Sequence, residues 1–111
     1  MIYLDTHVVV WLYLGEPSRL SAEARQTINK HSIFISPMVT LELTYLFEIG
    51  RLKADVQEML NFFKVSVGMK ICDLSFGKVV NIAQKQIWTR DPFDRLIVGH
   101  AAVKNTGLIT K

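Results

Sequence analysis

The chain has 111 residues, the length of a single domain; half of them are hydrophobic and 21% are charged. This composition excludes a disordered tail, a collagen-like chain and a low-complexity linker. The single cysteine excludes an internal disulfide framework and a cysteine-rich zinc site. The net charge of +3 is compatible with a phosphate-bearing partner but does not by itself indicate one.

Short apolar runs alternate with amphipathic segments along the chain, and cap residues mark where several helices begin. Asp5 or Thr6 can cap the first helix, and Ser36 followed by Pro37 opens the third. The alternation predicts a three-layer α/β fold with a mainly parallel central sheet. Predicted strands cover residues 1–4, 32–35, 70–74 and 108–110, and predicted helices cover residues 8–12, 21–30, 37–49, 54–63, 75–86 and 92–104, the last of which stops at Asn105-Thr106-Gly107.

The sequence predicts neither a membrane segment nor an export signal. Its longest apolar run, Val8 to Leu14, is far shorter than the roughly 20 residues that a bilayer-spanning helix needs. Asp5 and His7 precede that run, where a signal peptide would carry basic residues. We therefore expect a soluble, cytoplasmic protein with no membrane partner.

Glu42 lies in an apolar stretch of the predicted helix 37–49. If its carboxylate is buried, it needs a partner, because a bare buried charge is costly. Two structural explanations are open: the side chain reaches solvent at the edge of the stripe, or it pairs with an arginine. The residues three and four positions away are apolar: Met38, Val39, Tyr45 and Leu46.

Other acids lie where a parallel sheet would offer a crevice. Asp5 follows the first strand, and open α/β sheets bind ligands outside the carboxyl ends of their strands. Asp94 lies in the first turn of the last helix, just after Asp91. Asp5 and Asp91 could equally be helix caps, and an acid in a first turn is favoured by the helix dipole.

Three carboxylates that converge on one crevice repel each other and need a cation. If Asp5, Glu42 and Asp94 meet, their all-oxygen donor set favours Mg²⁺ or Mn²⁺, the ions commonly used for phosphodiester hydrolysis. No other catalytic pattern competes, since the sequence has no phosphate-binding glycine loop and no nucleophile elbow. The histidines lack a metal-binding spacing, and we interpret them as core or surface residues: His7, His31 and His100.

The segments IYLDTHVVVWL, SPMVTLEL and RDPFDRLIVGHA follow one another along residues 1–111. Together they resemble the PIN-domain family, specifically the VapC-type toxins of bacterial type II toxin–antitoxin systems. The resemblance implies an endoribonuclease that depends on Mg²⁺ or Mn²⁺ and hydrolyses RNA phosphodiester bonds with a metal-activated water. It also implies a cognate antitoxin that blocks the site, and a homodimer.

The same resemblance assigns residues to the site. Asp5, Glu42 and Asp94 match the three family acids, which hold the metal and act in catalysis, and Asp91 is at best an accessory acid. The residues that could position water or substrate phosphate are Thr6, Arg90 and Arg95. Arg95 has a second possible role, in which it pairs with an acid and holds the site together.

The family usually carries a fourth acid just after the strand that here contains LITK, followed by a short closing segment. This sequence ends at Lys111, before either of them. We therefore expect one PIN-like domain over residues 1–111 that lacks the closing segment. Whether one or two metal ions bind stays open.

A phosphoryl-accepting receiver-like module is an alternative. It would use Asp5 for metal, Asp73 as the phosphoacceptor and Lys111 at a late strand end. Receivers usually carry a pair of acids after the first strand, whereas here Thr6 follows Asp5, and this alternative leaves Glu42 unexplained. A phosphatase with an aspartyl nucleophile needs an acid two positions after Asp5, where His7 stands.

A catalytically degraded PIN-like module that only binds a protein partner is the third alternative. It would use a surface rich in aromatic side chains, although we interpret these aromatic residues as core. They are Tyr45, Phe47, Phe62 and Phe63.

Overall fold

The structure is a computed structural model that describes residues 1–103 and 107–109, apart from the side chain of Pro17. The described part contains four strands and six α-helices, in the alternation that the sequence predicts. A short 3₁₀ helix, Pro17–Arg19, is an element that the sequence analysis did not predict. In chain order the elements are β1 (Ile2–Leu4), α1 (Thr6–Tyr13), α2 (Ala22–Lys30), β2 (Ile33–Ile35), α3 (Pro37–Glu48), α4 (Val56–Val67), β3 (Lys70–Ile71), α5 (Phe76–Ala83), α6 (Pro92–Val103) and β4 (Gly107–Ile109).

The described strands form one parallel sheet in the order β3-β2-β1-β4. Ile2 of β1 pairs with Ile33 on one side and with Gly107 on the other. The predicted α/β fold with a parallel sheet is therefore confirmed. The chain winds outward from β1 to β3 and then returns to place β4 beside β1, so the boundary between β1 and β4 is the switch point at which such sheets bind ligands.

This strand order argues against the receiver-like alternative. In the order typical of receiver modules, the third strand lies next to the first. Here β2 separates β3 from β1, so Asp73, which follows β3, is displaced by one strand from Asp5. Lys111, the other residue which that alternative needs, lies outside the described residues.

The core divides into two clusters because alternate residues of a strand point to opposite faces of the sheet. Ile2 and Leu4 belong to the larger cluster, whereas Tyr3 between them belongs to the smaller one. Helices α1, α3 and α4 contribute Val8, Leu43 and further apolar residues to the larger cluster. The smaller cluster joins Tyr3 to Cys72 and Ala101.

Strand β3 and helix α4 differ from the prediction for identifiable reasons, and α5 ends at Ala83, three residues before its predicted end. Strand β3 was expected to cover residues 70–74. Its partner β2 ends at Ile35, and the last hydrogen bond between the two segments runs from the Cys72 N–H to the Ile35 carbonyl (2.8 Å). Beyond Cys72, β3 has no strand to pair with. Helix α4 begins later and ends later than predicted, because the Asp55 carboxylate caps it and Gly68 ends it at a left-handed φ of 66°. The predicted helix stop at Asn105-Thr106 and the predicted strand end at Thr110 lie outside the described residues.

The interpretation of the aromatic residues as core is wrong for three of the four. Tyr45, Phe47 and Phe62 are each about half exposed, and only Phe63 is buried. Helix α3 carries apolar side chains on all sides, including an exposed Leu41. Helical spacing alone therefore could not tell its buried side from its exposed side.

In the described part of the chain, every helix is too short or too polar to cross a membrane.

Candidate functional site

Asp5 lies directly after β1, at the switch point of the sheet. Its backbone N–H donates to the carbonyl of Ile109 in β4 at 2.9 Å. Its carboxylate oxygen Oδ1 accepts a hydrogen bond from the Thr6 N–H at 2.6 Å, which makes Asp5 the N-cap of α1. Only 8% of Asp5 is exposed. A nearly buried acid is therefore held at the carboxyl end of β1, which lies between β2 and β4 in the sheet.

Thr6 connects this strand end to Glu42. The Thr6 hydroxyl donates to Oε1 of Glu42 at 2.5 Å, and Thr6 itself is fully buried in the first turn of α1. Glu42 is half-buried, at the boundary between the buried Val39 side of α3 and the exposed side that carries Tyr45. The sequence placed Glu42 in the middle of an apolar stripe; the structure places it at the edge of the buried side.

The charges around Glu42 make its ionised form unfavourable. Burial raises the pKa of Glu42 above its ordinary value, and the nearby carboxylates of Asp5 and Asp91 raise it further. The Thr6 hydrogen bond and His7 act in the opposite direction. Within the described residues, neither lysine nor arginine contributes to this shift. The local excess of negative charge is the condition that a bound cation would relieve.

Helix α6 packs antiparallel to α3, because two contacts pair the helices in reverse order. Ser36, the N-cap of α3, lies 2.7 Å from His100 in the last turn of α6, and Tyr45 near the end of α3 stacks on Phe93 in the first turn of α6, with ring centroids 6.1 Å apart. Glu42 lies six residues after Ser36, and Asp94 lies six residues before His100. The antiparallel pairing therefore places Asp94, which is half-buried, level with Glu42 along the two helices.

The other predicted residues of this region surround the start of α6. The Asp91 carboxylate accepts from the Phe93 N–H at 2.9 Å, so Asp91 caps the helix while its charge also acts on Glu42. The Nε of Arg95 donates to the Thr89 carbonyl at 2.7 Å, which fixes the loop before α6; this contact was not predicted. The Arg90 side chain is exposed beside Asp91.

The donor set fits a hard divalent cation in its chemistry, because Asp5, Glu42 and Asp94 offer only oxygen. In residues 1–103 and 107–109, however, no three or more His, Cys, Asp or Glu side chains are already close enough together to hold a metal ion. Asp5 and Glu42 therefore lie at one edge of the sheet, and Asp94 lies level with Glu42 along the neighbouring helix, without a closed set of ligands among these described residues.

The sequence analysis underestimated His7. His7 is half-buried in the first turn of α1, its ring lies 6.4 Å from that of Trp11, and its charge lowers the pKa of Glu42. Its position two residues after Asp5 was the available signal. The histidines were interpreted as core or surface residues, and His100 is a core residue.

Comparisons with known proteins agree with this fold. The family model described as PIN domain matches residues 2–111, so the chain belongs to the PIN domain family. Among solved structures, the chain is similar to one in the crystal structure of VapBC2 from Rickettsia felis bound to a DNA fragment from its promoter. The two are 27% identical with a TM-score of 0.65, and the match covers 99% of this chain and 87% of the other. No curated protein matches the chain.

Proposed function

We propose that this protein is an endoribonuclease of the toxin type, dependent on Mg²⁺ or Mn²⁺, with Asp5, Glu42 and Asp94 as its metal-holding and catalytic acids. The observation that carries the proposal is the Thr6–Glu42 hydrogen bond beside Asp5, at the switch point of the sheet. A half-buried glutamate whose pKa is raised by burial and by two other acids destabilises the folded state when nothing is bound to it. Such perturbed groups are concentrated at functional sites.

The reaction is hydrolysis of an RNA phosphodiester: the oxygen of water bonds to phosphorus, one ester P–O bond breaks, and a proton reaches the departing ribose oxygen. A bound divalent ion would supply positive charge against the phosphate and acidify water near neutral pH. Thr6 fixes one oxygen of Glu42 and so orients the other. The exposed guanidinium of Arg90 would bind substrate phosphate, while Asp91 and Arg95 hold the start of α6.

The similar Rickettsia felis structure is a VapBC2 complex, and this supports a protein antitoxin as the partner of this chain. We propose that the antitoxin blocks the acidic site, that RNA is the substrate, and that the protein is a cytoplasmic homodimer of PIN-like domains.

The test is cleavage of a mixed RNA pool in Mn²⁺ and in EDTA by the unchanged protein, Asp5→Asn and Glu42→Gln. We expect cleavage that requires the metal and falls by more than about 100-fold in both variants, since even partners outside the ligand sphere cost 10–100-fold. Glu48→Gln is the matched control, because Glu48 is an exposed glutamate on the same helix. Cleavage that survives EDTA, or that survives both substitutions, would contradict the proposal.

A protein-binding module without catalysis is the second candidate, favoured by the exposure of Tyr45, Phe47 and Phe62. It predicts no RNA cleavage by a folded protein under any metal condition, so the same assay separates the two.

A further inference from the structure

His100 and Ser36 form a buried pair that the proposed reaction does not use. His100 is 2% exposed and Ser36 is fully buried. Nδ1 of His100 lies 2.7 Å from the Ser36 Oγ and 3.1 Å from the carbonyl of Leu96. The Ser36 Oγ also accepts the Met38 N–H at 3.0 Å, the cap bond that begins α3.

A neutral imidazole can make the contacts of Nδ1 in two ways. Either Nδ1–H is shared between the Leu96 carbonyl and the Ser36 Oγ, or the Ser36 hydroxyl donates to an unprotonated Nδ1. In both arrangements the contact joins the last turn of α6 to the first residue of α3. It is therefore a directional link between the two helices, unlike the apolar contacts around it.

Gly99, the residue next to His100, lies where α6 packs on α5. A Cβ on Gly99 would lie 3.0 Å from the carbonyl oxygen of Val79, so α6 approaches α5 closely at this point. At the other end of the α3–α6 contact, Tyr45 and Phe93 stack through a face that is half exposed. The buried polar end is consequently the better defined of the two contacts.

The candidate acids lie between these two contacts. Glu42 is six residues from Ser36 and Asp94 is six residues from His100, which is about 9 Å along each helix at 1.5 Å per residue. Thr6 ties Glu42 to the end of β1, where Asp5 lies. A slide of α6 along α3 would therefore separate Asp94 from Glu42 and leave the Asp5–Thr6–Glu42 connection intact.

We propose that His100 is a positioning residue for the candidate metal site: through its hydrogen bond to Ser36 it sets the register of α6 on α3 and so the distance between Asp94 and Glu42. This inference rests on the proposed function. It adds two residues outside the acid set, and it assigns them to the geometry of the site and not to contact with metal or RNA.

The test compares two substitutions in the full chain. His100→Leu fills a similar volume without any hydrogen bond. His100→Asn carries an amide oxygen and nitrogen as many bonds from Cα as Nδ1, so it can keep the link to Ser36, although it leaves a void. Mn²⁺ binding is measured by titration calorimetry without RNA, together with thermal unfolding and with RNA cleavage.

We expect the Leu variant to bind Mn²⁺ at least about tenfold more weakly, as for other partners outside the ligand sphere, and the Asn variant to stay within about threefold of the unchanged protein. Both variants are expected to unfold at lower temperature. Equal losses of Mn²⁺ affinity in both variants, or none in the Leu variant, would overturn the inference while metal-dependent cleavage by the unchanged protein upholds the proposed function. If the unchanged protein neither binds Mn²⁺ nor cleaves RNA, both fail.

Should His100→Leu not fold, Ser36→Gly replaces it. Glycine at an N-cap destabilises a helix much less than alanine does, so this variant removes the partner of His100 and largely preserves the start of α3. The expected loss of Mn²⁺ affinity is again about tenfold, and an unchanged affinity would overturn the inference.

Discussion

Two side-chain hydrogen bonds join α3 to its neighbours, and their surroundings are opposite. The Ser36–His100 pair is buried, and burial lowers the pKa of His100, which keeps the ring uncharged at neutral pH even though the Leu96 carbonyl acts the other way. The Thr6–Glu42 pair lies at the edge of the core, beside two further carboxylates. The first bond joins two uncharged groups, so its burial carries no penalty for a charge and the bond stabilises the fold. The second holds a charge that the rest of the fold disfavours, which is the pattern of a site kept for function.

The largest expected effect is on the buried pair. Ser36→Ala removes the cap of α3 and leaves His100 without this partner, so the free energy of unfolding should fall by about 2–3 kcal/mol. Ser21→Ala is the matched control, because the Ser21 Oγ caps α2 with one bond of 3.0 Å to the Ala24 N–H and is exposed. It should cost about 1 kcal/mol or less in urea denaturation. Equal losses would mean that the bond to His100 contributes nothing.

An intermediate effect is expected for the bond at the acidic edge. Thr6→Val keeps the shape of the side chain and removes the hydroxyl, so we expect a loss of about 1 kcal/mol. Because this hydroxyl lowers the pKa of Glu42, its removal should also raise that pKa further, which an NMR titration of the Glu42 carboxyl carbon measures. Thr6→Ser retains the hydroxyl and should leave the pKa near its starting value. A lower pKa in the valine variant would contradict the hydrogen bond described above.

The smallest effect is a gain in stability. Glu42→Gln removes a charge that burial, Asp5 and Asp91 disfavour, so in EDTA at pH 7 the variant should be more stable, by less than about 1 kcal/mol because water screens a half-buried group.

The sign of the pH dependence follows from the raised pKa. The folded protein binds the Glu42 proton more tightly than the unfolded chain, so this group's contribution to stability is present in full below its ordinary pKa of 4.5 and is lost as the pH rises through the folded pKa. The advantage of the glutamine variant should therefore vanish below about pH 4.5 in thermal unfolding. If Glu42→Gln is less stable than the unchanged protein at pH 7, the charge of Glu42 is not disfavoured by the fold, and the Thr6–Glu42 bond does not differ from the Ser36–His100 bond in this respect.

The fold could be predicted from local signals. Short apolar strands, Ser36 before Pro37 and the alternation of element types were sufficient for a parallel α/β sheet. What failed was the distinction between inside and outside on α3, because Tyr45 and Phe47 have the same apolar character as residues in the core. Where an element is apolar on every side, its buried side is set by the neighbours that pack on it.

The sequence offered candidate acids for the site but not the contacts that connect them. Asp5, Glu42 and Asp94 are predicted from a strand end, an apolar stretch and a resemblance. The bonds from Thr6 to Glu42 and from Ser36 to His100 span 36 and 64 positions of sequence. No periodicity or local motif reports such a pairing, since it depends on how helices are brought together by the sheet.

The pairing of β1 with β4 has a consequence for the order in which the molecule is made. Ile2 pairs with Gly107 in the sheet, and the Asp5 N–H donates to the carbonyl of Ile109. During synthesis β1, which is followed by Asp5, leaves the ribosome about 100 residues before β4, which pairs with it. An incomplete nascent chain can already contain Asp5, Thr6 and Glu42, yet the switch point between β1 and β4 exists only once the last strand has docked. In a growing cell, this acidic edge would therefore be completed only after β4 has been synthesised.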